Sequence, residues 1–498
     1  MAEPFLKLSN ISKHYTGVTA LDKVDFEIYQ GEIHCLVGEN GSGKSTLIKI
    51  ISGTVQPDDG ALIEIEGEPQ HAFHEIDAIH KGIDIIYQDL SLFPNLTVME
   101  NIAFGRYVAE GKRLVDWEEL KEIAGKAMKR IGVSLPMDAL VGDIPIADQQ
   151  LVAICRALTR DVRLVIMDEP TASLTRKEVD SLFSVVLDMK SKGIATMFVS
   201  HKLNEVLQIA DRVSVIRDGK MVGIFDPKEL NDEKLTQLMT GKKLVFSPFA
   251  CEQVGSEPIL EVRDLCRHGL FHDISFKLFP GEILGITGLL GSGRTEMALA
   301  LFGVNIPDSG EIYFEGKLVN IRSIQQAVDL GIGFVPEDRL LQGLIMIQPV
   351  SKNLVVTTLD ELVGKFGLLD NRRVRGKIDQ SVSDLSIKIP SIESPVQTLS
   401  GGNQQRVVLA KWIATKPKVL ILDGPTIGID VAAKHAIHKN IRDLAAKGIG
   451  IILISDEILE VYNNANRALI FRKGRLVKEL EMQNTSVDEI QETVNLTA

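Results

Sequence analysis

Short apolar runs rich in β-branched residues, at Ile33–Val37, 164–167 and 196–199, recur along the chain. They alternate with stretches such as 46–51, 177–189 and 406–413, whose apolar positions fall at helical spacing. Runs of four or five residues suit buried strands, and their alternation with helical segments predicts α/β domains around a mainly parallel sheet, since parallel neighbours need crossover helices. No uninterrupted apolar stretch reaches the roughly 18 residues that would suggest a membrane span.

The pattern occurs twice. Gly31-Glu32-Ile33, which leads into Gly38, is repeated as Gly281-Glu282-Ile283 leading into Gly288, an offset of 250 residues. Asp168 and Asp423 end two further matching apolar runs at an offset of 255. A duplication accounts for both, and residues 1–242 and 258–498 are read as two domains joined by a linker at 243–257, where periodicity lapses. A chain of 498 residues has room for both.

Composition narrows the class. With 45% hydrophobic and 24% charged residues the chain reads as globular. The first residues lack both the basic and the apolar region of a secretory signal, so a cytoplasmic address is expected. A net charge of −12 argues against a general nucleic-acid binder, which needs excess Lys and Arg. Cys35, Cys155, Cys251 and Cys266 form no CxxC pair and lack His at metal-ligand spacing, and are read as reduced thiols.

The first chemistry-bearing motif is Gly38-Glu39-Asn40-Gly41-Ser42-Gly43-Lys44-Ser45, followed by Thr46, set between a strand and a helical pattern. Glycines at this spacing let backbone N–H groups curl around phosphate oxygens at a helix N-terminus. Lys44 would reach the outer phosphates, and the Ser45 hydroxyl would ligate Mg²⁺. Downstream, an apolar strand ends in Asp168-Glu169. One carboxylate there suits the metal ion and the other the activation of water, so Asp168 is assigned to Mg²⁺ and Glu169 to general-base catalysis.

With these motifs the chain resembles the ABC-type ATPase family over nearly its whole length. The resemblance implies two tandem P-loop NTPase domains, each a mainly parallel core sheet with an antiparallel β subdomain and a helical signature subdomain. It implies that Tyr15 stacks on adenine, that Gln88 helps bind Mg²⁺ and water, and that His201 contacts the terminal phosphate of ATP. It also implies that Ser400-Gly401-Gly402-Asn403, the family's signature, completes the nucleotide site of a partner domain, which here means pairing of the two domains within one chain.

The repeat departs from the pattern in a coordinated way. In the second half the phosphate loop keeps Gly288, Gly291, Ser292, Gly293 and Thr295, but the lysine is Arg294. The Gln88, Glu169 and His201 positions become Glu337, Gly424 and Asp456, and the hairpin around 267–272 is four residues shorter, leaving Tyr15 without a counterpart. The first half replaces the signature serine and a glycine with Pro145 and Ala147. In the family's head-to-tail arrangement these losses fall on one site, so ATP hydrolysis is expected at the site of Lys44 and Ser400 and impaired at the other.

Twin cassettes without membrane spans resemble in particular the subunits of ribose-, xylose- and galactose-type importers. Features carrying that resemblance include Pro336-Glu337-Asp338-Arg339 and Gly428-Ile429-Asp430. The resemblance implies a peripheral place on the cytoplasmic face of the inner membrane, two copies of a membrane permease, an external substrate-binding protein as indirect partner, and no nucleic acid. The competing expectation is a soluble twin-cassette ATPase acting on ribosomes or nucleic acid.

Overall fold

The structure, a computed structural model, describes residues 3–70, 73–109, 111–112, 114–171, 174, 176–200, 202–241, 254–289, 291–364 and 367–495. The chain divides into two compact units, Met1–Leu244 and Val245–Ala498. Among the described residues no helix is long and apolar enough to cross a membrane.

In the first unit the strand Ile33–Val37 is buried at all five positions. It lies between Ala195–Val199 and Arg212–Arg217, both parallel to it. Leu164–Asp168 and Ile83–Ile86 extend the sheet in parallel on one side, and Lys220–Phe225 closes the other edge antiparallel. The near-continuous apolar character of the inner strands follows from burial on both faces. A separate antiparallel sheet has the order Val18–Ile28, Leu6–Tyr15, Leu62–Ile65, Glu68–Gln70.

The second unit repeats this topology strand for strand. Its core sheet runs Ile332–Val335, Val419–Asp423, Gly450–Ile454, Ile283–Gly288, Arg467–Arg472, Arg475–Glu481, again with only the last strand antiparallel. The closing hairpins match in detail. Asp218-Gly219 and Lys473-Gly474 are two-residue turns in which every φ is positive, the geometry that follows the natural twist of the strands. The Gly219 and Gly474 amides donate to the Ser42 and Ser292 carbonyls at 3.0 and 2.9 Å, so each turn braces the loop at the end of the central strand.

Helices sit where the spacing placed them, with shifted ends. The segment read as 177–189 is helical over Arg176–Ser191, and its counterpart Val431–Ala446 starts where the Asp430 carboxylate accepts from the Ala433 amide at 2.8 Å. Such a cap contributes about 1 kcal/mol. Cys35 and Cys155 are buried, and burial pushes the Cys155 thiol up to about 12. Cys251 and most of the linker lie outside the described residues.

Beneath the first sheet, Glu32 accepts from Arg212 Nε at 2.6 Å and from the Tyr29 amide at 2.7 Å, and pairs with His34 Nδ1 at 3.0 Å. Burial alone would raise its pKa, but His34 and Arg212 hold it down to about 2. A depressed carboxylate contributes stability above its unfolded pKa of about 4.3, and this is lost as pH falls toward 2. Glu32→Gln is therefore expected to lower stability by about 2 kcal/mol at pH 7, with the gap to the parent closing between pH ~4 and ~2 in thermal unfolding. A gap independent of pH would contradict this.

Candidate active site

The central strand of the first unit ends at the phosphate loop. Gly43 has φ 109°, and a Cβ there would lie 2.5 Å from the Ala20 carbonyl oxygen and 2.7 Å from Leu21 Cδ2. A Cβ on Gly38 would lie 2.6 Å from Ser42 Oγ. Space as well as torsion therefore requires glycine, and the hairpin that carries Tyr15 packs against the loop through Ala20 and Leu21, close to its tip. The helix Lys44–Ile51 begins without a side-chain cap, which leaves its first amides to an anion. Ser42 Oγ is buried without a partner, and Lys44 Nζ donates to the Gly38 and Glu39 carbonyls at 2.7 and 2.9 Å. This cradle fits a phosphate chain.

The two carboxylates lie at the same end of the parallel strands as the phosphate loop. Asp168 pairs with Val199, which pairs in turn with Leu36 of the central strand. Burial pushes the Asp168 pKa up, Glu169 adds to the rise, and Lys44 opposes it, which places all three groups in one electrostatic neighbourhood. Glu169 has φ 49°, a left-handed backbone unusual for a side-chain-bearing residue, and its amide donates to the Val199 carbonyl at 2.9 Å. A sharp bend thus turns the glutamate out of the strand. The serine hydroxyl and aspartate carboxylate are hard oxygen donors suited to Mg²⁺.

Gln88 is exposed just beyond Ile83–Ile86, the strand beside Leu164–Asp168. Tyr15 is 46% exposed at its hairpin tip. Asn40, Gly41 and Ser45 are exposed on the loop and the first helical turn. His201 lies outside the described residues.

The second unit keeps the cradle and changes its contents. Gly291 and Gly293 have φ 74° and 95°, and the helix Arg294–Leu301 is again uncapped by a side chain. Arg294 donates to the Ser455 carbonyl at 3.2 Å and to the Asp456 carboxylate. Asp423 is pushed up to about 6 by burial, with Glu337 and Asp456 adding to the rise and Thr295 and Arg294 opposing it. Gly424 has φ 53° and donates to the Ile454 carbonyl at 2.9 Å, the same bend as at Glu169. A Cβ on it would lie 2.5 Å from Ile427 Cδ1. The first hairpin extends through Tyr15↔Val18, whereas the second stops at Arg267↔Phe271, so the segment that carries Tyr15 is missing.

The signature helix begins at Gly401, earlier than the apolar spacing suggested, and runs Gly401–Ile413 with exposed Ser400 as its N-cap. Ser400 makes no capping bond but accepts from Asn403 Nδ2 at 3.0 Å. A Cβ on Gly402 would lie 2.6 Å from Ala433 Cβ, so the glycine allows close packing on the next helix. In the first unit the equivalent helix Ile146–Ala157 starts at Pro145, which offers neither hydroxyl nor N–H.

Sequence reasoning missed the supports behind these loops. The Thr171 hydroxyl donates to buried Glu205, and the Thr426 hydroxyl to buried Glu460 at 2.8 Å. The recurrence of this Thr–Glu pair in both units was the available signal. Arg339 was read only as part of a family motif. It donates to the Ile427 carbonyl at 2.6 Å and reaches that of Gly428 at 3.3 Å, and so holds the loop after Gly424.

With this geometry in hand, comparison with known proteins is informative. The family model described as ABC transporter matches residues 21–172 and 271–427. A ribose import ATP-binding protein of Geobacillus kaustophilus is 40% identical over 98% of this chain and 98% of its own. Another, from Rubrobacter xylanophilus, is 42% identical with the same coverage of both chains. A chain in a model of ribosome-bound archaeal Pelota and ABCE1 superposes with a TM-score of 0.63 at 19% identity, over 97% of this chain and 80% of that one, a likeness of fold alone. The two matched regions coincide with the two phosphate loops and their carboxylate strands, and the chain belongs to the ABC transporter family as an ATP-binding, ATP-hydrolysing subunit with two fused cassettes.

Proposed function

We propose that the chain powers import of a sugar or related small polar solute through a separate membrane permease, working at the cytoplasmic face of the membrane, and that hydrolysis takes place on nucleotide held by the first unit. The observation that carries the site assignment is the contrast between the two cradles: the first has Glu169 at the strand end beside Asp168 and Lys44, while in the second Arg294 is held by a carboxylate and Gly424 offers no base. Identity of 40% and 42% to ribose import proteins over nearly their whole length supports the transport role.

In this reading Tyr15 supplies a face for adenine, and the loop amides with Lys44 hold the phosphates. Ser45, Gln88 and Asp168 hold Mg²⁺, which when bound supplies positive charge against that developing on the phosphates. Glu169 takes a proton from water as the water oxygen bonds to the terminal phosphorus. The bond from that phosphorus to the bridging oxygen breaks, and ADP and phosphate are released. His201 is assigned to the terminal phosphate on the family resemblance alone. Ser400, Gly401, Gly402 and Asn403 are assigned to nucleotide as well, through an uncapped helix start with an exposed hydroxyl.

Purification of the tagged chain from solubilised membranes is expected to recover an integral permease, in two copies per complex. A companion binding protein should then select among pentoses, hexoses and polyols. Recovery with ribosomes or nucleic acid in place of a permease would overturn this reading.

A further inference from the structure

The second phosphate loop opens on a pocket of about 210 Å³ whose lining includes Ser292, Arg294, Thr295, Glu337, Asp423 and Asp456. Two of its polar atoms, Ser292 Oγ and Asp423 Oδ2, are buried without partners on residues 4% and 3% exposed. Buried polar groups are costly unless a ligand or solvent satisfies them, so both point to a polar guest. A hydroxyl in a glycine cradle and an uncapped helix start suit a phosphate, and a carboxylate next to a threonine hydroxyl suits the divalent ion that accompanies it.

The charge around the cradle sets which phosphate chain fits. Loop amides hold the inner phosphates of a bound nucleotide, while the cation at the start of the helix reaches the outer ones. In the first unit that cation donates to the Gly38 and Glu39 carbonyl oxygens. Arg294, by contrast, is ion-paired with Asp456 across the pocket, and Glu337 and Asp423 share the same space. A terminal phosphate would have to displace one carboxylate from the guanidinium and then lie among three. A nucleotide ending at its second phosphate meets the amides and leaves the Arg294–Asp456 pair in place.

We propose that the second unit is a nucleoside-diphosphate site, in which the Asp456 carboxylate occupies the place on Arg294 that a terminal phosphate would otherwise take. The proposal rests on the reading of Gly288–Thr295 as nucleotide-binding and specifies its ligand. The side chain of Asp456 is 51% exposed, so substitution there tests charge with little disturbance of packing.

The test is calorimetric titration of the full-length chain carrying Lys44→Met, which keeps the packed stem of the lysine while removing its charge from the first loop. MgADP is expected to bind about tenfold or more tighter than MgATP, since the like charges lie within a few ångströms in a partly buried pocket. Adding Asp456→Asn should narrow the ratio to about threefold or less, chiefly by tightening MgATP, and Asp456→Ser should do the same. Adding Arg294→Ala, which leaves three carboxylates without their cation, should weaken binding of both nucleotides about tenfold or more and so locate it in this pocket. Equal or tighter MgATP binding in the Lys44→Met chain, or a ratio unmoved by both Asp456 variants, would overturn the selectivity while leaving a nucleotide site. Binding of neither nucleotide would overturn the underlying reading, and the proposal with it.

Discussion

Glu169→Gln is expected to lower steady-state ATP turnover by about 10²- to 10⁴-fold, the usual contribution of a positioned general base, while nucleotide binding persists. The amide is nearly isosteric and keeps the bend at residue 169, where the backbone N–H holds the Val199 carbonyl. The substitution removes the basicity and the charge and keeps the backbone. The second unit has no reserve, because Gly424 carries no carboxylate. Glu169→Gly should lose turnover equally yet gain up to about 1 kcal/mol of stability, because a φ of 49° costs a side-chain-bearing residue energy that glycine does not spend. Phosphate release under saturating MgATP and nucleotide titration of the same preparations separate the two effects. Normal turnover in Glu169→Gln would defeat the assignment.

The second large effect concerns support of the fold. Glu460 lies buried behind the loop after Gly424, accepting from Thr426 at 2.8 Å and Ser455 and pairing with His438 Nε2 at 2.7 Å. Burial would raise its pKa, but His438 and these bonds hold it below the usual carboxylate range. Glu460→Ala strips several buried groups of their partner at once and is expected to cost about 3–5 kcal/mol. Glu460→Gln, which retains an acceptor oxygen, should cost less. Of the two tryptophans, Trp412 is buried in the second unit and Trp117 is half-exposed in the first. The loss should therefore appear as an earlier red shift of Trp412 emission in denaturant, best read in a Trp117→Phe background. An unchanged midpoint would show that Glu460 is not a support.

What the sequence made legible depended on contiguity. The phosphate loop, the strand ending in Asp168-Glu169 and the duplicated α/β pattern each occupy adjacent residues, and their chemistry can be read from spacing. Features created by long-range pairing could not be read in this way. Arg294 and Asp456 are 162 residues apart, and the sequence marks each as a departure without hinting that one holds the other. Glu205 and Glu460 sit on helices where a buried carboxylate is indistinguishable from a solvated one until its partners are known. The start of the signature helix was hidden by Gly401 and Gly402, poor helix formers; at Gly402 the close packing on Ala433 leaves no room for a Cβ, and at Gly401 a Cβ would crowd Arg339 and the Gly428 carbonyl.

The bend shared by residues 169 and 424 also bears on how the two halves have diverged. In the second half the backbone still holds the turn, but Ile427 has moved into the volume that a side chain at 424 would need. The nearest atom, Ile427 Cδ1, is the tip of a half-exposed side chain that can rotate aside, and the backbone at 424 already has the conformation that residue 169 adopts with a glutamate. The second half has thus lost its carboxylate without losing the scaffold that would present one, and the asymmetry between the halves is written in side chains and not in the path of the backbone.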